Sequence, residues 1–274
     1  MSESDSTALR RSATLAAGCL DPPPGRGRIA LALAYGSLTH LAFLAGVGAM
    51  MLAMFFGLGR TWGTVPWPWS LLANAALILQ FPLAHSALLG TRGRKLLARM
   101  VPGPNGRTLS TTTYALIASL QLLALFVLWT PSGIIWWQAQ GVTFALLCVA
   151  YGVAWLLLLK AILDAGIELQ VGALGWMSLL QNIPIRFPDM PQQGLFRLIR
   201  QPIYVAFAAT LWTVPVWTPD QLALAICFTA YCVAAPHRKE ARFVAVHGDR
   251  FRAYQHRVPY MVPNLRPPDD QTPQ

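Results

Sequence analysis

Six runs of mainly apolar residues constrain the fold of this chain more than any other feature of its sequence. They lie at about 30–58, 67–90, 111–130, 140–163, 202–217 and 219–236. A helix needs roughly 20 apolar residues to cross the hydrocarbon core of a bilayer. The chain is 55% hydrophobic and only 12% charged, which is too apolar for an ordinary soluble domain. We therefore expect an all-α integral membrane protein with about six transmembrane helices.

The positions of the basic residues predict how the chain is oriented. Loops that remain in the cytoplasm carry an excess of Lys and Arg. In this sequence such residues cluster before the first run, between the second and third, around the segment that joins the fourth and fifth, and after the sixth. They are Arg10, Arg11, Arg26 and Arg28; Arg92, Arg94, Lys95, Arg99 and Arg107; Lys160, Arg186, Arg197 and Arg200; and Arg238, Lys239, Arg242, Arg250, Arg252, Arg257 and Arg266. Only Arg60 is left for the opposite side, which predicts an even number of spans with both termini in the cytoplasm.

The polar segments complete the predicted domain organisation. Residues 1–28 are polar and then Pro-rich, which predicts a disordered cytoplasmic tail and no signal peptide. The domains that follow are transmembrane helices 1 to 4 at 29–163, a cytoplasmic connector with an interfacial helix at 164–201, a tight transmembrane hairpin at 202–236, a cytoplasmic amphipathic helix at 237–260 and a tail at 261–274.

The C-terminal helix is predicted from the spacing of its apolar residues. Phe243, Val246 and Phe251 or Tyr254 form an apolar stripe between charged residues, which is typical of an amphipathic helix. By the predicted topology this helix, the connector and the entry to the fifth span all lie on the cytoplasmic side. These three segments can therefore form one pocket at the membrane boundary.

Composition and motifs argue against several other classes of protein. The net charge of +10 is accounted for by the topology and by anionic lipid headgroups, and the chain has no basic-aromatic module for nucleic acid. It also lacks the glycine-rich turn of a soluble nucleotide-binding domain. Its four cysteines form no C-x-x-C pair and its five histidines are scattered, so no metal site is predicted. For His40 and His85, a ligand role stays open beside the simpler role of core residues.

The fifth run opens with polar residues that are costly to hold at a bilayer boundary. Arg200, Gln201 and Tyr204 surround Pro202. Proline suits the first turn of a helix, and this leaves backbone N–H groups free near Gln201. Arg200 and Tyr204 are four residues apart and so share one face of the helix. We interpret this boundary as part of a binding site.

Several motifs of the C-terminal third resemble a known family. They are R-x-P-x-Y at 200–204, W-x-x-P at 212–215, Glu240, and H-G-D-R-F-R-A-Y-Q-H-R-V-P at 247–259. Together they resemble the C-terminal region of membrane methyltransferases related to isoprenylcysteine carboxyl methyltransferase and phospholipid N-methyltransferases. The resemblance is specific from about residue 195 to 259.

Upstream motifs point to one group within that superfamily. His85 and Ser86 form an H-S pair, and V-P-x-P-x-x-R-T occupies 101–108. With these the chain is most similar to the bacterial methanethiol S-methyltransferases, over roughly residues 30 to 263. The resemblance implies a multi-pass protein of the bacterial inner membrane.

The resemblance also implies a cofactor and the residues that bind it. S-adenosylmethionine would be held between the last two spans, with the helix at 237–260 as a cap. Arg200 would bind its methionine carboxylate, Glu240 an amino or ribose group, and Tyr204 with Trp212 would face the sulfonium. The full cofactor-binding set is Arg200, Gln201, Pro202, Tyr204, Trp212, Glu240 and Tyr254. A thiol reacts as its thiolate, and Tyr204, Glu240 and His85 are the candidate catalytic residues for producing it.

The chain departs from the family pattern R-H-P-x-Y-x-G, E-E and F-G-x-x-Y-x-x-Y at five positions. Gln201 replaces the histidine, Ala206 the glycine, Lys239 the first glutamate, His247 the phenylalanine and Phe251 the first tyrosine. The change at Lys239 has the largest consequence, because it reverses a charge near the expected position of the cationic sulfonium.

These observations predict an S-adenosylmethionine-dependent methyltransferase that acts on a small or lipid-soluble nucleophile. A thiol is the favoured acceptor, with conversion of methanethiol to dimethyl sulfide as the reaction. Two alternatives stay open: a lipid, isoprenoid or other hydrophobic acceptor, and a noncatalytic membrane protein on the same scaffold. The expected partners are the acceptor and membrane lipid, without nucleic acid.

Overall fold

The computed structural model describes residues 8–101 and 103–263, and these form a bundle of helices. The helices are α1 (Ala8–Ala17), α2 (Arg26–Phe55), α3 (Trp69–Leu88), α4 (Thr91–Met100), α5 (Gly106–Leu128), α6 (Gly141–Ala165), α7 (Ile167–Gln170), α8 (Ala173–Leu180), α9 (Pro202–Trp212), α10 (Pro219–His247) and α11 (Asp249–Arg257). A 3-10 turn, Gly194–Arg197, precedes α9. Two short strands, β1 (Trp137–Gln138) and β2 (Val216–Trp217), pair in antiparallel fashion. Most of the predicted C-terminal tail, from residue 264, lies outside the described residues.

Four helices are long and apolar enough to cross a membrane. They are α2, α3, α5 and α6, and they match the first four apolar runs to within a few residues. The outer surface of α6 carries exposed leucines such as Leu146 and Leu156, each 65% exposed. Such a surface is stable against lipid tails, which are as apolar as leucine itself. The prediction of an all-α, multi-pass membrane protein is therefore confirmed.

The last two predicted spans differ from the helices found in that region. Helix α9 has 11 residues, which is about 16 Å of helix and shorter than the roughly 30 Å hydrocarbon core. Helix α10 has 29 residues and packs against α9. It passes through Pro236 without a break, so the predicted boundary between 236 and 237 falls inside one helix. The count of six spans and the transmembrane hairpin stay predictions.

The end of α10 is set by a glycine. Gly248 has φ 53° and ψ −129°, and a positive φ of this kind favours a residue without a Cβ. The chain turns there into α11, whose Phe251 and Tyr254 are each 3% exposed and pack with Phe243. Val246 is 75% exposed and does not belong to the apolar stripe that the spacing predicts.

The N-terminal segment is ordered where the sequence predicts disorder. Residues 8–17 form α1, which packs against α6, α7 and α8. Arg11 and Ser12 both donate hydrogen bonds to Glu168 of α7, which is only 3% exposed. A buried carboxylate needs such partners. Residues 8–17 therefore differ from the predicted disordered tail, because a polar composition does not show that a segment supplies partners to a distant buried charge.

Helices α2 and α5 pack closely at a position that only a small residue permits. A Cβ built on Gly46 would lie 2.7 Å from the carbonyl oxygen of Ser119. Small residues at helix contacts allow the two backbones to approach each other. The contact carries the main apolar core, in which Met54 and Leu125 are buried beside Leu211 and Phe228 from α9 and α10.

We expect the substitution Gly46→Leu to destabilise the bundle by about 1–3 kcal/mol, because it forces α2 and α5 apart in a packed region. Thermal unfolding of the purified protein in detergent measures the loss. Gly48→Leu is the matched control, since a Cβ on Gly48 has no atom within 4 Å. Equal losses for the two variants would contradict the proposed packing role of Gly46.

Candidate functional site

The site is built around an ion pair between Arg200 and Glu240. The Nε–H of Arg200 donates to Oε1 of Glu240 over 2.9 Å, and their side chains are only 14% and 9% exposed. Arg200 lies just before Pro202, which is the first residue of α9, and Glu240 lies in α10. Because α9 packs against α10, two residues that are 40 positions apart in the sequence are brought into contact.

Arg200 also joins the end of α11 to this pair. Its Nη1 donates to the carbonyl oxygens of Gln255 and Val258, over 2.8 and 2.9 Å. Its backbone N–H donates to the carbonyl of Pro259 over 2.9 Å. One guanidinium therefore links the start of α9 to α10 and to the segment at the end of α11.

The Glu240 carboxylate has three side-chain partners. Besides Arg200, it accepts from Nε2 of Gln201 and from Nε2 of Gln255, each over 2.6 Å. Gln255 was missed by the sequence analysis. Its place in the Y-Q-H-R segment was the available signal, but the motif does not show which of those side chains points inward.

The two largest departures from the family pattern lie next to each other. The Oε1 of Gln201 accepts from Nζ of Lys239 over 3.3 Å, while its amide nitrogen donates to Glu240. An amide can accept from one neighbour and donate to another. Gln201 therefore satisfies a lysine and a glutamate at once, which accounts for the joint presence of Gln201 and Lys239.

Lys239 is enclosed by aromatic rings. Its Nζ lies 5.7 Å from the ring centroids of Phe196, Tyr204 and Phe243. Burial lowers the pKa of this lysine to about 8, while the neighbouring Glu240 acts in the opposite direction. Near neutral pH the site therefore contains a buried ammonium group with a weakened hold on its proton.

A cavity lies beside these charged residues. The cavity is small, with a volume of about 10 Å³, which is room for about one water molecule. Its walls include Met190, Phe196, Arg200, Gln201, Lys239, Phe243, Phe251 and Tyr254. The Tyr254 hydroxyl donates to the carbonyl of Phe196 over 2.7 Å, and burial raises the pKa of this phenol. Helix α11 is thus held against the 3-10 turn, so that it forms one wall of the cavity.

The remaining predicted site residues divide into two groups. Pro202 is buried at the start of α9, and Tyr204 lies two residues further on with its ring facing Lys239. Trp212 lies at the opposite end of α9, about 15 Å along the helix axis from Pro202. It is 43% exposed, and its indole N–H donates to Thr229 over 2.9 Å. The prediction that Trp212 faces the same ligand group as Tyr204 does not fit this position.

His85 lies in α3, outside the cavity. Its ring centroid lies 4.9 Å from that of Tyr114 in α5. Among the described residues, the buried Nδ1 of His85 has no hydrogen-bond partner. The imidazole of His85 therefore packs against α5 with one nitrogen unused.

The structure also bears on the question of metal ligands. His40 accepts a hydrogen bond at Nε2 from the indole N–H of Trp176 over 3.0 Å. Within residues 8–101 and 103–263, no group of three or more His, Cys, Asp and Glu side chains is arranged to hold a metal ion.

Comparisons with known proteins give the family. The chain is 31% identical to a methanethiol S-methyltransferase from a Pseudomonas strain over 235 residues, which cover 83% of this chain and 84% of that protein. It is 26% identical to the methanethiol S-methyltransferase of Mycobacterium tuberculosis over 85% of this chain and 96% of that protein. Nurim from Mus musculus is 31% identical over 59% of this chain and 63% of its own length. No family model and no solved structure matches the chain. The coverage and identity of these relatives show that the chain belongs to the methanethiol S-methyltransferase family.

Proposed function

We propose that the protein transfers a methyl group from S-adenosylmethionine to a thiol at the cytoplasmic face of the bacterial inner membrane. Methanethiol is the favoured acceptor, as in the names of the relatives. One observation carries the proposal: Arg200 of the R-x-P-x-Y motif is bonded to Glu240 and to the C-terminal segment, and it lines one cavity together with Tyr254. Arg200, Glu240 and Tyr254 all match the family pattern in the sequence.

The residues around the cavity fit the chemical groups of this cofactor. Arg200 lines the cavity and provides positive charge for the methionine carboxylate. The Nη2 of Arg200 makes only a long 3.4 Å contact with Glu240, which leaves it available to an anionic ligand. Cavities for drug-sized ligands typically have about 300–1,000 Å³, far more than the about 10 Å³ found here, so binding requires the walls of the cavity to move apart.

The reaction requires alignment and a deprotonated acceptor. When bound, the cofactor supplies an electrophilic methyl group on a sulfonium. The acceptor sulfur forms a bond to the methyl carbon as the bond to the sulfonium breaks, and the electron pair of that bond stays on the departing thioether. Positive charge is lost in this step, so the protein acts mainly by positioning the two sulfur atoms and excluding water.

We assign removal of the thiol proton to His85 rather than to Glu240. The oxygens of Glu240 are already engaged by Arg200, Gln201 and Gln255. Among the described residues, the buried Nδ1 of His85 has no hydrogen-bond partner, which leaves it free to accept a proton. A small apolar thiol such as methanethiol can reach this position from the bilayer.

Cells that express the protein and receive methanethiol should release dimethyl sulfide, which headspace gas chromatography measures. The matched control is Glu240→Ala, which removes the carboxylate at the centre of the site and should return the signal to background. If the wild type releases no more dimethyl sulfide than this control, methanethiol is excluded as the acceptor. A labelled methyl group then found in the lipid fraction would support a lipid acceptor.

A further inference from the structure

Three aromatic rings from three different elements converge on the ammonium of Lys239. Phe196 belongs to the 3-10 turn, Tyr204 to α9 and Phe243 to α10, and each ring centroid lies 5.7 Å from Nζ. This distance is within the roughly 6 Å over which a cation is attracted to an aromatic ring. We call these three residues the aromatic cage.

The ammonium within the cage has weak polar partners. Among the described residues, Lys239 makes no ion pair within 4.0 Å, and its hydrogen bond to Gln201 is long, at 3.3 Å. The adjacent Glu240 carboxylate is engaged by Arg200, Gln201 and Gln255. The cation is thus held mainly by the rings. A buried charge with such partners is costly to maintain.

Cages of aromatic rings are a general means of binding quaternary ammonium and other onium ions. Phe196, Phe243 and Lys239 also line the cavity, so a ligand there has access to the same rings. We propose that the aromatic cage is the binding site for the sulfonium of the methyl donor, and that the ammonium of Lys239 occupies this site in the free protein and competes with the donor. This inference rests on the proposed function. It adds that a side chain of the protein, Lys239, competes with the methyl donor.

Competition of this kind makes donor binding depend on pH. Since the pKa of Lys239 is lowered to about 8, roughly one molecule in eleven has a neutral lysine at pH 7 and about ten in eleven at pH 9. Apparent affinity scales with the fraction of competent protein. The affinity for a sulfonium should therefore rise about tenfold from pH 7 to pH 9.

Other charged groups surround the cage, and they are the same in titrations with S-adenosylmethionine and with S-adenosylhomocysteine. Glu240 and Arg242 act on Lys239 electrostatically, and Arg200 and Tyr254 line the same cavity. His247 packs against Phe243 and lies 3.8 Å from Asp189. A neutral thioether senses these same groups but is not repelled by the ammonium. S-adenosylhomocysteine is therefore the internal reference for the titration.

The test compares the wild type with Lys239→Met, which keeps the side-chain length and removes the charge. At pH 7 we expect Lys239→Met to bind S-adenosylmethionine about tenfold more tightly, with a much smaller change for S-adenosylhomocysteine and no dependence on pH between 7 and 9. Arg238→Met is the matched control. It removes one exposed charge from the neighbouring position in α10 and should leave affinity unchanged. Isothermal titration calorimetry in detergent gives all of these values.

The outcomes separate this inference from the proposed function. Weaker donor binding by Lys239→Met would show that the lysine holds the methionine carboxylate, and an equal change for both ligands would show that charge competition is absent. Either result overturns the inference but does not contradict the proposed methyltransferase function. If no variant binds either nucleoside, trimethylsulfonium is the deciding probe. Its binding to Lys239→Met and not to the wild type supports the cage, and its failure to bind to Lys239→Met overturns it.

Discussion

The substitution Arg200→Met should destabilise the protein by about 3–5 kcal/mol, because it leaves the buried Glu240 carboxylate without its charge partner. The side chain of Glu240 is 9% exposed, so water cannot replace the guanidinium. The same change removes the bonds from Arg200 to the carbonyls of Gln255 and Val258. Thermal or denaturant unfolding in detergent measures the loss.

The double variant Arg200→Met with Glu240→Met separates stability from function. Replacing both members of a buried ion pair by apolar residues of similar volume is often neutral or stabilising. We therefore expect the double variant to regain most of the lost stability but to produce no dimethyl sulfide. A double variant that is as unstable as Arg200→Met would show that the carbonyl contacts of Arg200, rather than the ion pair, hold this region together.

The substitution Arg11→Met should release α1 from the rest of the protein. Glu168 is 3% exposed, and losing one charge partner of a buried carboxylate costs about 3–5 kcal/mol. We expect the lower part of this range, because Ser12 still donates to the carboxylate and the Arg11 side chain is 34% exposed. Limited proteolysis should then cleave the chain within residues 8–17, where the wild type resists.

A double variant provides the first control for this prediction. Arg11→Met with Glu168→Gln removes both charges and should restore much of the protection. Arg10→Met provides a second control, since Arg10 lies on the exposed side of α1. Cleavage of the wild type at the same rate as Arg11→Met would contradict a folded α1.

Much of the architecture was predictable because it depends on local composition. The four long spans follow directly from runs of about 20 apolar residues, such as those that form α2 and α6. The short α9 was harder to predict. Its apolar run continues past Trp212 into β2, and hydropathy does not distinguish helix from extended chain.

Only part of the candidate site could be predicted from the sequence. That part came from the family resemblance and not from local composition. The resemblance pointed to Arg200 and Glu240, which the structure brings into contact. It did not reveal Gln255, or that Phe196 and Phe243 face Lys239. These contacts depend on how the 3-10 turn and α11 fold back onto α10, and such long-range packing leaves no periodic signal in the sequence. Trp212 lies eight residues beyond Tyr204 in the same helix, about 12 Å along its axis, and its part in the site stays a prediction.

We propose that the site around Arg200 and Glu240 binds the methyl donor. Calorimetric titration of S-adenosylmethionine into the wild type and into the folded double variant Arg200→Met with Glu240→Met measures this binding. We expect saturable binding to the wild type, and at least a hundredfold weaker binding to the double variant. Equal binding by both proteins, or no binding to the wild type at millimolar donor, would contradict it.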